Sequence, residues 1–286
     1  MSRVTIEEYG KYETAWCPGC GNFNILSSLK KALVMCDLKP HEVQMVSGIG
    51  QAAKTPYYLN VNHFDGLHGR GIPAALAMRI SNPNLKVIYE SGDGCTYGEG
   101  GNHFLACLRR NPDITLFVHD NMVYGLTKGQ SSPTSGHGFV TKAQPAGNPS
   151  NPFNPVALAV LMGANFVARA YSGKPDQLAN IMAEAIKHKG LSLVDILQPC
   201  VTFNKINTYQ WFNERCSELP ADYDPYNRET ALKTAMEFGD TIPIGIIFKA
   251  DNPTFEDNFS ALEKGPLCAQ PLNKENLGNV FKEYIA

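Results

Sequence analysis

Two short segments constrain this chain more than anything else in it. Gly92-Asp93-Gly94 follows an apolar run, Leu85 to Tyr89, and Asn121 follows another, Ile114 to Val118. Between them stand a glycine-rich turn (Gly98, Gly100, Gly101), a helix-like stretch from Asn102 to Arg110 and a Pro112-Asp113 break. Strand, turn, helix, strand is a βαβ unit, whose crossover makes the two strands parallel and brings their C-terminal ends to one edge of the sheet. Asp93 and Asn121 are therefore expected to face each other across a short gap.

The chemistry of that gap follows from its donors. The Asp93 carboxylate, the Asn121 amide oxygen and a main-chain carbonyl such as that of Val123 are hard oxygen ligands. Mg2+ takes roughly six of these and usually draws several from phosphates and water. Glycines beside Asp93 let the backbone approach phosphate oxygens, and the next helix offers unpaired N–H groups to an anion. The alternative is that Asp93 and Asn121 only cap turns, as Asp and Asn commonly do.

The rest of the chain alternates in the same way. A loop with Cys17 and Cys20 leads into a helical pattern carrying Phe23, Ile25, Leu26, Leu29 and Leu33. Val43 to Val46 reads as a strand, and a long loop through His63 and His68 precedes a helix beginning at Pro73. From Gly125 to Pro155 runs a segment rich in Gly, Pro, Ser and Asn, too long for a plain connector. Then come helix (Val156 to Met162), strand (Phe166 to Ala170), helix (Pro175 to His188) and strand (Ser192 to Leu197), closing on Gln198-Pro199-Cys200. The fold expected is α/β, a three-layer parallel sheet with helices on both faces. Residues 1–250 are expected to form one domain with an N-terminal cysteine loop, and 251–286 a tail able to dock a partner.

Composition narrows the setting. With 43% hydrophobic and 18% charged residues among 286, the chain has an ordinary globular make-up, and a net charge of −2 gives no basic field for nucleic acid. The stretch from Met1 to Trp16 is polar, unlike a signal peptide, and Val156 to Tyr171 is too short and too interrupted to span a bilayer. A cytoplasmic enzyme is expected, its eight cysteines serving as ligands, catalytic groups or small buried hydrophobes rather than disulfides. Gly48-Ile49-Gly50-Gln51-Ala52-Ala53 formally fits a dinucleotide fingerprint. Pro56 and Tyr57-Tyr58 fall where that motif needs a continuous helix, which argues against it. Cys17-x-x-Cys20 admits three readings: a redox dithiol, half a zinc site, or two ligands of an iron–sulfur cluster.

Gly92-Asp93-Gly94 with Asn121 resembles the diphosphate motif of thiamine diphosphate enzymes. Trp16-Cys17-Pro18-Gly19-Cys20-Gly21, Ser47-Gly48-Ile49-Gly50, His68-Gly69-Arg70, the run from Val123 to Thr134, and Pro243 to Phe248 together resemble the beta subunit of 2-oxoacid:ferredoxin oxidoreductases, in that family's order. The resemblance implies a thiamine diphosphate-binding fold of the diphosphate type. The coenzyme is expected to lie against Gly48, Ile49, Gly50, His68, Gly92, Asp93, Gly94, Cys95, Asn121, Val123, Tyr124, Gly125, Leu126 and Thr127. Mg2+ is expected on Asp93, Asn121 and Val123.

It also implies an iron–sulfur cluster with four cysteine ligands. Cys17, Cys20 and Cys200 match three, and Gln51 stands where the fourth belongs. Cys36 lies too far along one helix from Cys20 to replace it, about 24 Å at ~1.5 Å per residue. The expectation is a cluster on three cysteines, its last position open to water or to the Gln51 oxygen, although an amide is a poor donor to a soft metal. The implied reaction is oxidative decarboxylation of a 2-oxoacid: carbon dioxide leaves, electrons pass through the cluster to ferredoxin, and coenzyme A takes the acyl group. Lys54, His68 and Arg70 are the catalytic candidates, Lys54 for the substrate carboxylate; His119 reads as structural. A glutamate that activates the coenzyme is missing from the recognisable half, so a separate alpha subunit is implied. Two other classes remain open: a thiamine-dependent decarboxylase or transferase without an iron–sulfur acceptor, and a non-catalytic electron-transfer subunit.

Overall fold

The computed structural model describes residues 3–271 and 274–285. Met1, Ser2, 272, 273 and 286, the last three in the expected tail, lie outside the described residues. Eight strands form one sheet: β1 (Val43–Ser47), β2 (Asn62–Asp65), β3 (Lys86–Gly92), β4 (Thr115–Asp120), β5 (Phe166–Tyr171), β6 (Ser192–Leu197), β7 (Cys216–Glu218) and β8 (Ile242–Lys249), in the order β2-β1-β3-β4-β6-β5-β8-β7. The first six are mutually parallel, and β8 pairs antiparallel with β5. The helices are α1 (Asn22–Met35), α2 (Gly71–Ser81), α3 (Gly101–Arg110), α4 (Pro155–Met162), α5 (Pro175–Lys187), α6 (Tyr209–Arg215), α7 (Arg228–Met236) and α8 (Lys274–Tyr284).

Strand side chains alternate between two cores, as a period of two requires. Val87, Tyr89, Leu116, Val118, Val167 and Leu193 meet α2, α3, α4 and α7 on one face. Ile88, Phe117, Phe166, Ala168, Val194 and Ile196 meet α1 and α5 on the other. The central strands are buried throughout, which explains why they are mostly apolar on both faces, with buried Arg169 and Asp195 as the exceptions at their middle. Asn154 caps α4 by accepting from the Ala157 N–H at 2.9 Å, with Pro155 in the first turn; Gly163, at φ +75°, ends that helix in a left-handed conformation.

The expected three-layer α/β sheet is present, with two departures at its edges. Edge strand β2 lies inside what reads as loop, because all four of its side chains are exposed and show no alternation. The other edge, β8 and β7, runs against the parallel direction. After Gly50 there is a 3-10 helix, Ala52–Tyr58, with Pro56 inside it, in place of the continuous α-helix a dinucleotide site needs. Beyond residue 250 the chain stays tied to the body: Glu256 accepts from the Asp113 N–H at 3.1 Å and pairs with Arg79 at 3.1 Å.

Candidate active site

Parallel pairing carries the C-terminal ends of β1, β3, β4 and β6, four consecutive strands, to one edge of the sheet. That edge is where open α/β sheets bind ligands. The loops leaving these strands supply Ile49, Gly50 and Gln51; Gly92 to Cys95; Asn121 and Val123 to Thr127; and Gln198 with Cys200 to Phe203. With His68, the Cys17–Cys20 loop and Asn22, they line one cavity of about 900 Å³, its open mouth included.

Asp93 sits just past the end of β3, and the pairing of Gly92 with His119 sets Asn121 just past the end of β4. Both line the cavity. The Asn121 amide oxygen accepts the Val123 N–H at 3.1 Å, so the turn-capping role is real. It leaves the oxygen a second lone pair for a cation. Met122 between them has φ +56°, an unusual conformation for a residue with a side chain. It is held by Asp120, which accepts its N–H at 3.1 Å, and by the Ser135 hydroxyl, which donates to its carbonyl at 2.6 Å. Instead of a simple glycine turn, a π-helical turn, Gly94–Glu99, follows Asp93; such wide turns concentrate at functional sites.

Glycine has a steric reason at two positions here. A Cβ on Gly94 would fall 2.2 Å from a Tyr124 ring carbon, and one on Gly48 would fall 2.3 Å from the Cys95 sulfur. That buried sulfur accepts the N–H groups of Ile49 at 3.4 Å and Gly69 at 3.2 Å, joining three of the cavity's loops. Gly48 thus supports the cavity from behind rather than lining it.

A chain of buried acids runs back from Asp93. The Thr134 hydroxyl lies 2.8 Å from an Asp93 oxygen and 2.7 Å from an Asp120 oxygen. A hydroxyl has one proton to give, so with both contacts made as hydrogen bonds one of the carboxyls must supply its own. Burial pushes Asp93 up to about 6, opposed by donors including Ser132 and Thr134, and pushes Asp120 well above the usual carboxylate range, with the Asp195 and Asp93 charges adding to it. Asp195, also raised by burial to about 6, accepts the Tyr97 hydroxyl at 2.7 Å. Arg169 lies beside Asp195 on the neighbouring strand and donates to the Ala235, Glu237 and Pro243 carbonyls. A cation on Asp93 would favour its ionised form and move the proton toward Asp120.

A second group of lining residues, here called the sulfur end, is built from thiols and amides. Cys17, Cys20 and Cys200 line it, Cys17 exposed and the others half-buried. Burial raises the Cys20 thiol, the Cys200 and Cys17 charges add to this, and N–H donors from Asn22 and Gln198 oppose it. The side-chain oxygens of Gln51 and Gln198 are both buried without a partner. Among the described residues no three His, Cys, Asp or Glu side chains gather as they would around one metal ion. A cluster spreads its thiolates over several irons, so three sulfurs around a shared cavity, beside an orphaned Gln51 oxygen, fit that group better than a single ion. Asp93, Asn121 and a carbonyl fit Mg2+, which draws its remaining ligands from phosphate and water.

The catalytic candidates divide. His68 lines the cavity, with Nδ1 3.3 Å from Glu99 but not aligned for a hydrogen bond. Lys54 is half-buried in the 3-10 helix and Arg70 is exposed, reaching the Glu99 carbonyl at 3.4 Å; neither lines the cavity. The catalytic expectation for these two therefore rests on the sequence alone, since the 3-10 helix and the residue before α2 do not bring them into the cavity lining. His119 is wholly buried, between Asn22 at 2.8 Å and Glu90 at 2.8 Å, the structural role expected of it. Sequence reasoning missed Asn22 and Gln198 as lining residues, and Thr134, though inside a quoted motif, gave no sign of bridging two acids. Cys36 contacts the Ala183 carbonyl, Cys107 is buried in α3, Cys216 opens β7 and Cys268 is exposed, so none joins the other cysteines.

Fold and cavity together define the coenzyme-binding domain of a thiamine pyrophosphate enzyme, and the family model "Thiamine pyrophosphate enzyme, C-terminal TPP binding domain" matches residues 43–196. A second family model, that of the C-terminal part of the pyruvate ferredoxin oxidoreductase beta subunit, matches residues 200–264. The chain belongs to the family of 2-oxoacid:ferredoxin oxidoreductase beta subunits. It is 43% identical to 2-oxoacid:ferredoxin oxidoreductase 1, subunit beta, of Aeropyrum pernix, over 94% of this chain and 93% of that one. It is 31% identical to the 2-oxoglutarate synthase subunit KorB of Methanocaldococcus jannaschii, over 86% and 92%. The 2-oxoglutarate:ferredoxin oxidoreductase of Magnetococcus marinus, solved with 2-oxoglutarate, coenzyme A and succinyl-CoA, superposes with a TM-score of 0.91 at 32% identity, covering 98% of this chain and 97% of that one. The protein is an oxidoreductase subunit that works with an alpha subunit. Among the described residues no helix is long and apolar enough to cross a membrane.

Proposed function

We propose that this chain binds thiamine diphosphate with Mg2+ on Asp93, Asn121 and the Val123 carbonyl, holds an iron–sulfur cluster on Cys17, Cys20 and Cys200, and serves the conversion of a 2-oxoacid to its acyl-coenzyme A with ferredoxin as electron acceptor. One observation carries this: the loops of four adjacent parallel strands and the cysteine loop converge on a single cavity whose lining holds both oxygen donors and thiols. When bound, the coenzyme supplies the nucleophilic carbon and electron sink that decarboxylation of a 2-oxoacid needs.

The protein's own part is to position and to shield. Gly94 leaves room for Tyr124, whose hydroxyl donates to Glu99 at 3.1 Å and closes the wall around the diphosphate end. His68 stands where it can approach the reacting centre, while Lys54 and Arg70 are assigned no contact with it. Leu126, nearly half exposed, borders the substrate's entry. The alpha subunit supplies the missing half of the coenzyme site, and the segment beyond residue 250 is a docking arm for a partner. The relatives' names favour 2-oxoglutarate as substrate, and the cytoplasm is the compartment that suits free thiols.

The test is made on the complex assembled with its alpha subunit. Thiamine diphosphate with Mg2+ should raise its melting temperature, as any ligand of the native state must. Turnover should need an oxoacid, coenzyme A and ferredoxin together, the isolated chain should show none, and a panel of pyruvate, 2-oxoglutarate, branched-chain and aryl oxoacids should name the substrate. No thermal shift in the complex would refute the assignment. Gln51 favours one second reading, a decarboxylase or transferase without a cluster; absence of acid-labile sulfide from anaerobically purified complex would select it.

A further inference from the structure

We propose that Gln198 tunes the reduction potential of the cysteine-held cluster through a hydrogen bond from its side-chain amide to Cys20, an inference that rests on the cluster assignment above. Gln198 is the first residue beyond β6, and its backbone N–H is fixed to the Asp120 carbonyl at 2.9 Å. Its side chain is buried and lines the cavity at the cysteine end. The amide nitrogen lies 3.2 Å from the Cys20 sulfur.

Two features argue that this contact is selected rather than incidental. The first is the amide oxygen, buried and without a partner, an unfavourable arrangement that Leu or Met would avoid while filling the same space. The second is Gly21, next to Cys20. A Cβ there would come within 2.5 Å of the Gln198 Cγ and 2.8 Å of the Ser172 hydroxyl, so the glutamine can hold this position only against glycine.

The sulfur of a ligating thiolate carries more negative charge when the cluster gains an electron. An N–H donor therefore stabilises the reduced form more than the oxidised one and raises the potential, one of the means by which proteins set cluster potentials. Gln198 is thus a positioning residue whose effect reaches the reaction through Cys20.

The experiment compares anaerobically purified wild-type complex with Gln198→Met, which keeps side-chain length and removes the donor, and Gln198→Glu, which keeps shape and loses the donor when ionised. Iron, acid-labile sulfide and the midpoint from a dithionite titration followed by electron paramagnetic resonance are measured for each. With the cluster retained, Gln198→Met should have a lower midpoint, by about the 59 mV that a tenfold shift in a one-electron equilibrium represents, and Gln198→Glu should fall at least as far. An unchanged midpoint in a cluster-bearing variant overturns the inference and leaves the functional reading intact. Loss of the cluster from both variants also overturns it, by making Gln198 a holding residue. Absence of sulfide from the wild type removes the functional reading itself, and the inference with it.

Discussion

The two ends of the cavity are built on opposite plans. At the oxygen end, Asp93 is buried, its partners are in place, and glycines at 48 and 94 admit neighbours that any side chain would displace. At the sulfur end, Cys17 is exposed, two glutamine oxygens have no partner, and the cysteines come from a loop before α1 and another after β6. At the first end the Asp93 carboxylate already has its hydrogen-bond partners; at the second, two amide oxygens are left for a ligand to satisfy. Preorganisation is worth most where a small cation and a diphosphate must be matched closely. A cluster supplies strong metal–sulfur bonds of its own and can gather its ligands as it binds.

The largest effect should come from Asp93→Ala. Removing the carboxylate should abolish the thermal shift produced by thiamine diphosphate and Mg2+ and weaken Mg2+ binding by more than about 100-fold, beyond the 10- to 100-fold typical of residues that only support a ligand. A retained thermal shift would show that the oxygen end is not where the coenzyme is held. At the other end, Cys20→Ser should empty the iron and sulfide from purified complex yet leave that thermal shift nearly unchanged. Joint loss of both would break the distinction between the ends.

Next in size is Thr134→Val, which takes the shared hydroxyl from two buried acids. It should lower stability by about 1–3 kcal/mol in denaturant titration and weaken Mg2+ binding by about 10-fold or more. The pH dependence of the ligand-free chain follows from the same acids. Asp93 and Asp195 are raised to about 6, so each binds its proton more tightly folded than unfolded. Their contribution to stability is present below the unfolded pKa of about 4 and is lost as pH rises through 6. The apo chain should weaken across that window, Asp195→Asn should flatten the fall, and Mg2+ should offset it by favouring ionised Asp93. The smallest effect belongs to Lys54→Ala and Arg70→Ala, which should change Mg2+ and coenzyme affinity by no more than about twofold, within the ~0.5 kcal/mol typical of substitutions away from a binding site.

The oxygen end was legible in the sequence because its logic is local. A strand, a turn, a helix and a second strand fix where Asp93 and Asn121 stand, and apolar runs mark the buried strands. Edge strand β2 was not, since four exposed residues carry no hydrophobic pattern. Nor was the antiparallel edge, because Pro243 and Gly245 interrupt the text of a β8 whose partner β5 lies far back in the chain. The bridge from Asp93 through Thr134 to Asp120 joins distant residues whose individual types are unremarkable in a polar loop. Lys54 could not be placed by counting along the chain: beyond Gln51 the backbone runs as a 3-10 helix, whose pitch differs from that of an α-helix, and Lys54 is not among the residues that line the cavity.

The packing of Gly48 against the Cys95 sulfur has a consequence for how these positions can vary. A methyl group at 48 and a thiol at 95 would claim the same space, so the two residues form a mutational pair in which the order of change matters. Gly48→Ala alone should be poorly tolerated, whereas the same change introduced after Cys95→Gly has room to settle. Any redesign that places a side chain at 48 has to change 95 with it.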